Sequence, residues 1–167
     1  MKTLIQKGSL VLLVAAFAAA VPGSAQGNSP VCNNWLITGV YGFTIEGTKL
    51  SGPGPTGSQV GVAITDFKGD GTLVQIDAVS IGGIQVSDFS HTPATGTYTV
   101  NPDCTGTFTV NFTDGRPTVK TWFVVVDNGS EIDTMVVGVP LVPPPGVQGP
   151  GVIATRSIGK RRFTPIF

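Results

Sequence analysis

The sequence predicts an all-β protein, an antiparallel up-and-down closed β-barrel of about 8–9 strands, with a two-sheet β-sandwich as the alternative. Three observations predict it. Short runs rich in β-branched and aromatic residues alternate apolar with polar positions along nearly the whole chain. The runs are separated by tight turn signals: Gly69-Asp-Gly71, Gly82-Gly83, Asn101-Pro-Asp103, Asp114-Gly115 and Asn128-Gly129. Long crossovers are nearly absent, and a meander of sequential hairpins favours a sheet that closes on itself.

Residues 1–25 read as a signal peptide. Lys2 and Lys7 give a positive start, residues 10–21 an apolar run, and Gly23-Ser24-Ala25 the small residues before a cut after Ala25, with Ala18-Ala19-Ala20 as the alternative site. The apolar run is about a dozen residues, short of the roughly 20 that span a bilayer, and no later stretch is continuous enough. The sequence therefore predicts an exported protein, secreted or periplasmic, with no membrane span. Residues 26–167 are one domain's length, enough to bury a core. They carry 8 Lys and Arg against 10 Asp and Glu, a formal charge of −2. That balance offers no field for capturing nucleic acid, and the one basic cluster, Lys160-Arg161-Arg162, reads as a solvated end.

The strands are expected at residues 37–48, 59–67, 72–80, 84–88, 96–100, 106–112, 118–127, 131–139 and 152–158. Two Pro/Gly-rich loops, 51–57 and 140–151, interrupt the series, and no helical period is evident beyond the leader. Each strand has one apolar side: Tyr41, Phe43 and Ile45; Val60, Val62 and Ile64; Val74, Ile76 and Ala78; Phe108, Val110 and Phe112. On the last strand Arg156 is in phase with Val152, Ala154 and Ile158, so an inward apolar side would carry the guanidinium inward too. Cys32 and Cys104, an even pair in an exported chain, are expected to form a disulfide joining the N-terminal segment to the middle hairpin.

Candidate chemistry is sparse. His91, the only histidine, follows Asp88 and Ser90, but residues this close in sequence rarely reach triad geometry and no Gly-x-Ser-x-Gly elbow exists; a polar loop histidine is the reading adopted. Residues 66–77 imitate a calcium loop, yet Lys68 stands at a ligand position and strands flank it, so a tight turn explains the glycines. Glu46, Asp77, Asp127, Glu131 and Asp133 are spread over several strands, and burial would be needed to single one out. No catalytic residue, metal site or cofactor is predicted. Trp35, Tyr41, Phe43, Trp122 and Phe123 either pack a core or line a ligand cavity at a barrel mouth.

Trp35 followed by Gly39-Val-Tyr-Gly-Phe43, then Phe67-Lys-Gly-Asp-Gly-Thr-Leu73, then residues 96–107 with Asn101-Pro-Asp-Cys104, resembles a group of uncharacterised secreted bacterial proteins over the span from Trp35 to about Phe112. That resemblance implies export and carries no activity with it. An aromatic on the first strand with Arg156 on the last is similar to the calycin barrels, in which an arginine packs over a tryptophan at the closed end. This resemblance implies that Arg156 stacks on Trp35. Trp35, Tyr41, Phe43, Trp122 and Arg156 are the expected ligand-binding residues. The Gly-x-Trp order of lipocalins is absent, because Trp35 precedes Gly39.

Two functions follow as expectations. One is a non-enzymatic barrel that binds a small apolar ligand or a cell-envelope component. The other is a cyclase- or dirigent-like barrel that guides a small hydrophobic substrate by shape, for which Glu46 or Asp77 would be the polar group inside. A structural surface module is the third reading.

Overall fold

The computed structural model describes residues 31–137 and 152–162. The expected signal peptide and the Pro/Gly-rich loop at 140–151 lie outside these residues. Nine strands follow in order: β1 Gly39–Lys49, β2 Gly57–Phe67, β3 Thr72–Ile81, β4 Ile84–Ser87, β5 Ala94–Val100, β6 Thr105–Asn111, β7 Val119–Val126, β8 Glu131–Val137 and β9 Ile153–Arg161. Every pairing is antiparallel, and β1 pairs with both β2 and β9 (Tyr41 opposite Arg161, Lys49 opposite Ile153), which closes an eight-stranded barrel.

The ninth strand is the short β4. The first half of β3 pairs with β5 (Thr72 to Gln75), while its last residues pair instead with β4 across the Gly82-Gly83 turn. Both glycines have positive φ, 58° and 83°, the geometry a two-residue primed hairpin turn requires. Because β3 changes partner after Gln75, the wall beyond that point is bordered by loops, and this is where Asp77 lies.

One end of the barrel is sealed by side chains. Tyr41, Phe67, Leu73 and Ile132 are fully buried there, with Phe67 making edge-to-face contacts to Tyr98 (ring centroids 4.9 Å) and Tyr41 (5.5 Å). A 3₁₀ turn at Asn34–Ile37, capped by the Asn33 side chain, lies across this end. It is held by the Cys32–Cys104 disulfide (Cα to Cα 5.0 Å), by Val100 N–H donating to Asn34 Oδ1 at 2.8 Å, and by Tyr98 O–H donating to the Asn34 carbonyl. From β9, Arg161 reaches over the Tyr41 ring, with Nε and Nη2 at 3.0 and 2.8 Å from the phenol oxygen, and Nη2 also donates to the Leu36 carbonyl. The Tyr41 hydroxyl in turn donates to Gly129. Burial raises the Tyr41 phenol pKa, and Arg161 only partly offsets this.

Three expectations need correction. Arg156 does not face inward: it sits on the outer surface with Val152 and Ile158, its side chain 72% exposed, bonded to Glu46 at 3.3 Å. Trp35 is exposed on the 3₁₀ turn rather than stacked under Arg156. The arginine-over-aromatic contact at the closed end is made by Arg161 and Tyr41, so the basic cluster contributes a structural residue rather than only a solvated end. The 3₁₀ turn itself lies within and before what reads as the start of the first strand.

The phase of β2 and β3 is also opposite to the apolar-inside reading. Val60, Val62 and Val74 are exposed, and the inward positions are Gln59, Gly61, Ala63, Thr65 and Phe67 on β2 and Leu73, Gln75, Asp77, Val79 and Ile81 on β3. On β1 and β6 the apolar faces, with Tyr41, Phe43, Phe108 and Val110, point inward as expected.

Candidate functional site

The inward face is large and aromatic at the sealed end and small or polar at the other. Gly159 on β9 leaves room for the Phe43 ring, which a Cβ there would meet at 2.3 Å, and Phe43 with Phe108 forms the floor above the sealed half. Beyond this floor lies a cavity of about 660 Å³. Its apolar wall is built from Ile45, Val79, Ile81, Val110 and Phe112, and its polar wall from Gln75, Asp77, Thr121, Thr134 and Ser157. Pro53, Gly54 and Pro55 of the β1–β2 loop and residues 114–117 of the β6–β7 loop form the rim.

Asp77 is the centre of the only buried ionic cluster among the described residues. Its carboxylate accepts Arg116 Nη1 at 2.8 and 3.1 Å and the Ser87 hydroxyl at 2.8 Å, and lies 3.1 Å from His91 Nε2. Arg116 also bonds Asp114 through Nε at 2.8 Å and stacks on Phe112, its guanidinium carbon 3.9 Å from the ring centre. The cluster thus ties β3, β4, the strand-free stretch before β5 and the β6–β7 loop into one side of the cavity.

The charges in this cluster sustain one another. His91 Nδ1 donates to the Thr92 carbonyl at 2.8 Å, and that bond, against partial burial and together with the Asp77 carbonyl and carboxylate, raises the imidazole pKa above its ordinary value. The bond from Arg116 lowers the Asp114 pKa. For Arg116 itself, burial disfavours the charge, but the bonds to Asp114 and Asp77 outweigh it and the net shift is upward.

The sequence-derived site residues divide three ways. Phe43 lines the cavity. Tyr41 is buried in the sealed end, below it. Trp35, Trp122 and Arg156 are on the outside, Trp122 opposite Met135 on the neighbouring strand, and Phe123 packs inward over Gly106. The carboxylates also separate. Asp77 lines the cavity, Glu46 bonds Arg156 outside, Glu131 bonds Lys160, and Asp133 is exposed on β8.

His91 is more than a polar loop residue, because its ring is built into the Asp77 cluster. It is not aligned with Asp88 and Ser90, which bond one another in a local turn. The residues of the calcium-like segment diverge as well: Asp66 pairs with Lys68, Asp70 caps Thr72, and Asp77 points into the barrel. Arg116 and Gln75 were not singled out by the sequence. Arg116 carries no local signal beyond a charge in a turn, and Gln75 looks like the polar side of a strand whose apolar side, Val74 and Ile76, is on the outside. No family model, curated protein or solved structure matches the chain.

Proposed function

We propose that this chain is an exported, non-enzymatic β-barrel that takes a small, largely apolar molecule into its cavity. The observation that carries the reading is the cavity itself. Its volume of about 660 Å³ falls inside the roughly 300–1,000 Å³ range of small-molecule sites, and its walls are mostly apolar with a few polar groups. An eight-stranded barrel of this kind has just enough width either to fill its interior with side chains or to hold one small ligand. Here the sealed half does the first, and small inward residues such as Ala63 leave space for the second. The disulfide fits an oxidising compartment.

The test is titration with N-phenyl-1-naphthylamine, whose emission rises in apolar surroundings. Ala63→Phe, which places a ring in the cavity, should abolish the signal, and Trp122→Ala on the outer surface should leave it unchanged. Val79→Phe serves if Ala63→Phe does not fold. Loss of binding in Trp122→Ala with retention in the cavity variants would overturn the reading and place the site outside.

A second reading, a cyclase- or dirigent-like barrel, is favoured by one observation: a buried carboxylate, Asp77, does line the cavity. Its oxygens are occupied by Arg116, Ser87 and His91, an arrangement that anchors the wall before it can serve a substrate. Turnover of a bound polyene that stops in Asp77→Asn while binding persists would favour this second reading over the first.

A further inference from the structure

The polar groups of the cavity fall into those already engaged and those left open, and the difference describes the ligand. Asp77 is saturated by its neighbours, Thr134 and Ser157 share a 2.6 Å hydrogen bond, and Gln59, only half-buried, accepts from Thr155 at 3.5 Å with its amide N–H groups open. Gln75 is different. Its Oε1 accepts from Thr65 Oγ1 at 3.0 Å, directly across the β2–β3 pair, which fixes the side chain by its carbonyl and leaves the amide N–H groups unpartnered among the described residues. Thr121, on β7, makes no side-chain hydrogen bond among these residues either. Both residues are buried, at 9% and 2% exposure, and both line the cavity.

Among the described residues no buried side-chain nitrogen or oxygen is both sealed from the surface and without a partner. The open atoms of Gln75 and Thr121 therefore look onto the cavity space. They present an amide donor and a hydroxyl that donates or accepts.

The charges give the complementary restriction. The charged lining residues are Lys49, Asp77, Asp114 and Arg116: the two acids are paired with Arg116, while Lys49 is held by the neutral Pro53 carbonyl at the rim. Beside Gln75 and Thr121 an ionic ligand would lose its hydration and meet no free countercharge, since Lys49 is tied to the rim loop. A pure hydrocarbon would cover the Gln75 and Thr121 donors and leave them dry, which also costs free energy. A neutral acceptor oxygen on an apolar skeleton satisfies the donors and avoids both costs.

We propose that the cavity is selective for uncharged, largely apolar molecules bearing a carbonyl or comparable neutral oxygen, which accepts hydrogen bonds from the Gln75 amide and the Thr121 hydroxyl. This inference rests on the cavity-binding reading above.

Calorimetric titration with naphthalene, 2-acetylnaphthalene and 2-naphthoate separates the two. The ketone should bind roughly fivefold or more tightly than the hydrocarbon, the worth of about one net hydrogen bond, and the carboxylate should bind most weakly. Gln75→Leu should bring the ketone down to the affinity of naphthalene while naphthalene binds no worse; Thr121→Val is the second variant if Gln75→Leu fails to fold. Equal affinity for ketone and hydrocarbon, a preference for the carboxylate, or a ketone preference that survives both substitutions would overturn the inference while leaving the cavity reading intact. Failure of N-phenyl-1-naphthylamine itself to bind would overturn that reading instead.

Discussion

Arg116→Met removes the guanidinium that holds Asp77, and its cost can be worked from the cluster. The Asp77 side chain is 3% exposed, so deleting its partner strands a buried carboxylate, for which roughly 3–5 kcal/mol is typical. Ser87 and His91 remain on Asp77, and the Arg116 side chain is itself 22% exposed, so the lower end applies. Part of the loss is the contact with Phe112, worth about 0.5–1 kcal/mol. A total of about 3 kcal/mol is expected in urea denaturation followed by far-ultraviolet circular dichroism, with an unchanged denaturant slope. In an Asp77→Leu background only the Phe112 and Asp114 contacts remain to be lost, about 1 kcal/mol, so the double-mutant cycle should show a coupling of about 2 kcal/mol.

With Arg116 gone, His91 is the one cation left on Asp77 among the described residues, and it is the only histidine in the chain. Its folded pKa is raised above the unfolded value of about 6.5. The stabilisation is therefore complete below about pH 6.5 and is lost as pH rises through the folded pKa. Arg116→Met should consequently lose more stability between pH 6 and pH 8 than the parent does. A cost under about 1 kcal/mol, the same cost in the Asp77→Leu background, or stability that rises over that pH interval would refute the assignment of Arg116 as the main counter-ion of a buried carboxylate.

Two further outcomes test the sealed end. Cys104→Ser opens a cross-link across 72 residues and should lower stability by about 4 kcal/mol, and the intact mass of the parent should rise by two protons on reduction. Tyr41→Phe strands Arg161 and the Gly129 carbonyl in a buried site and should cost about 2–3 kcal/mol, whereas Arg156→Ala, whose partner Glu46 is 66% exposed, should cost about 0.5 kcal/mol or less. The same urea series measures both, and a larger effect at Arg156 than at Tyr41 would mean that β9 is out of register by one residue.

The strands and turns were legible in the sequence because hairpin chemistry is local. Asn-Pro-Asp, Asp-Gly and Gly-Gly each fix a bend within a few residues, and all nine expected strands are present. Which side of a strand faces inward was legible only where large aromatics decide it, on β1 and β6. On β2, β3 and β9 the rule that apolar means inside gave the opposite face, since it presumes a filled interior. Val60, Val62 and Ile158 lie on the outer surface, while Gln59, Gln75, Thr155 and Ser157 border empty space. The Asp77 cluster was illegible for another reason. Its members come from β3, β4 and two loops, spaced so that only the change of partner by β3 brings them together.

A polar interior around a cavity also has a thermodynamic signature that separates groups kept for structure from groups kept for binding. Thr121 is 2% exposed, and its hydroxyl has no hydrogen-bond partner among the described residues. In the empty barrel that hydroxyl gains little from folding, because it exchanges bulk water for the restricted water of the cavity. Replacing it with the isosteric methyl of Thr121→Val keeps the packing and removes the partial desolvation cost, so stability should rise by roughly 0.5–1 kcal/mol. The matching change Thr65→Val should go the other way by about 1–2 kcal/mol, because it takes the fixing hydrogen bond from Gln75 at a fully buried position. Opposite signs for two Thr→Val changes inside one barrel are what a binding role for the first and a structural role for the second require. If Thr121→Val destabilises as much as Thr65→Val does, the Thr121 hydroxyl belongs to the fold, and the donor set assigned to the ligand shrinks to Gln75 alone.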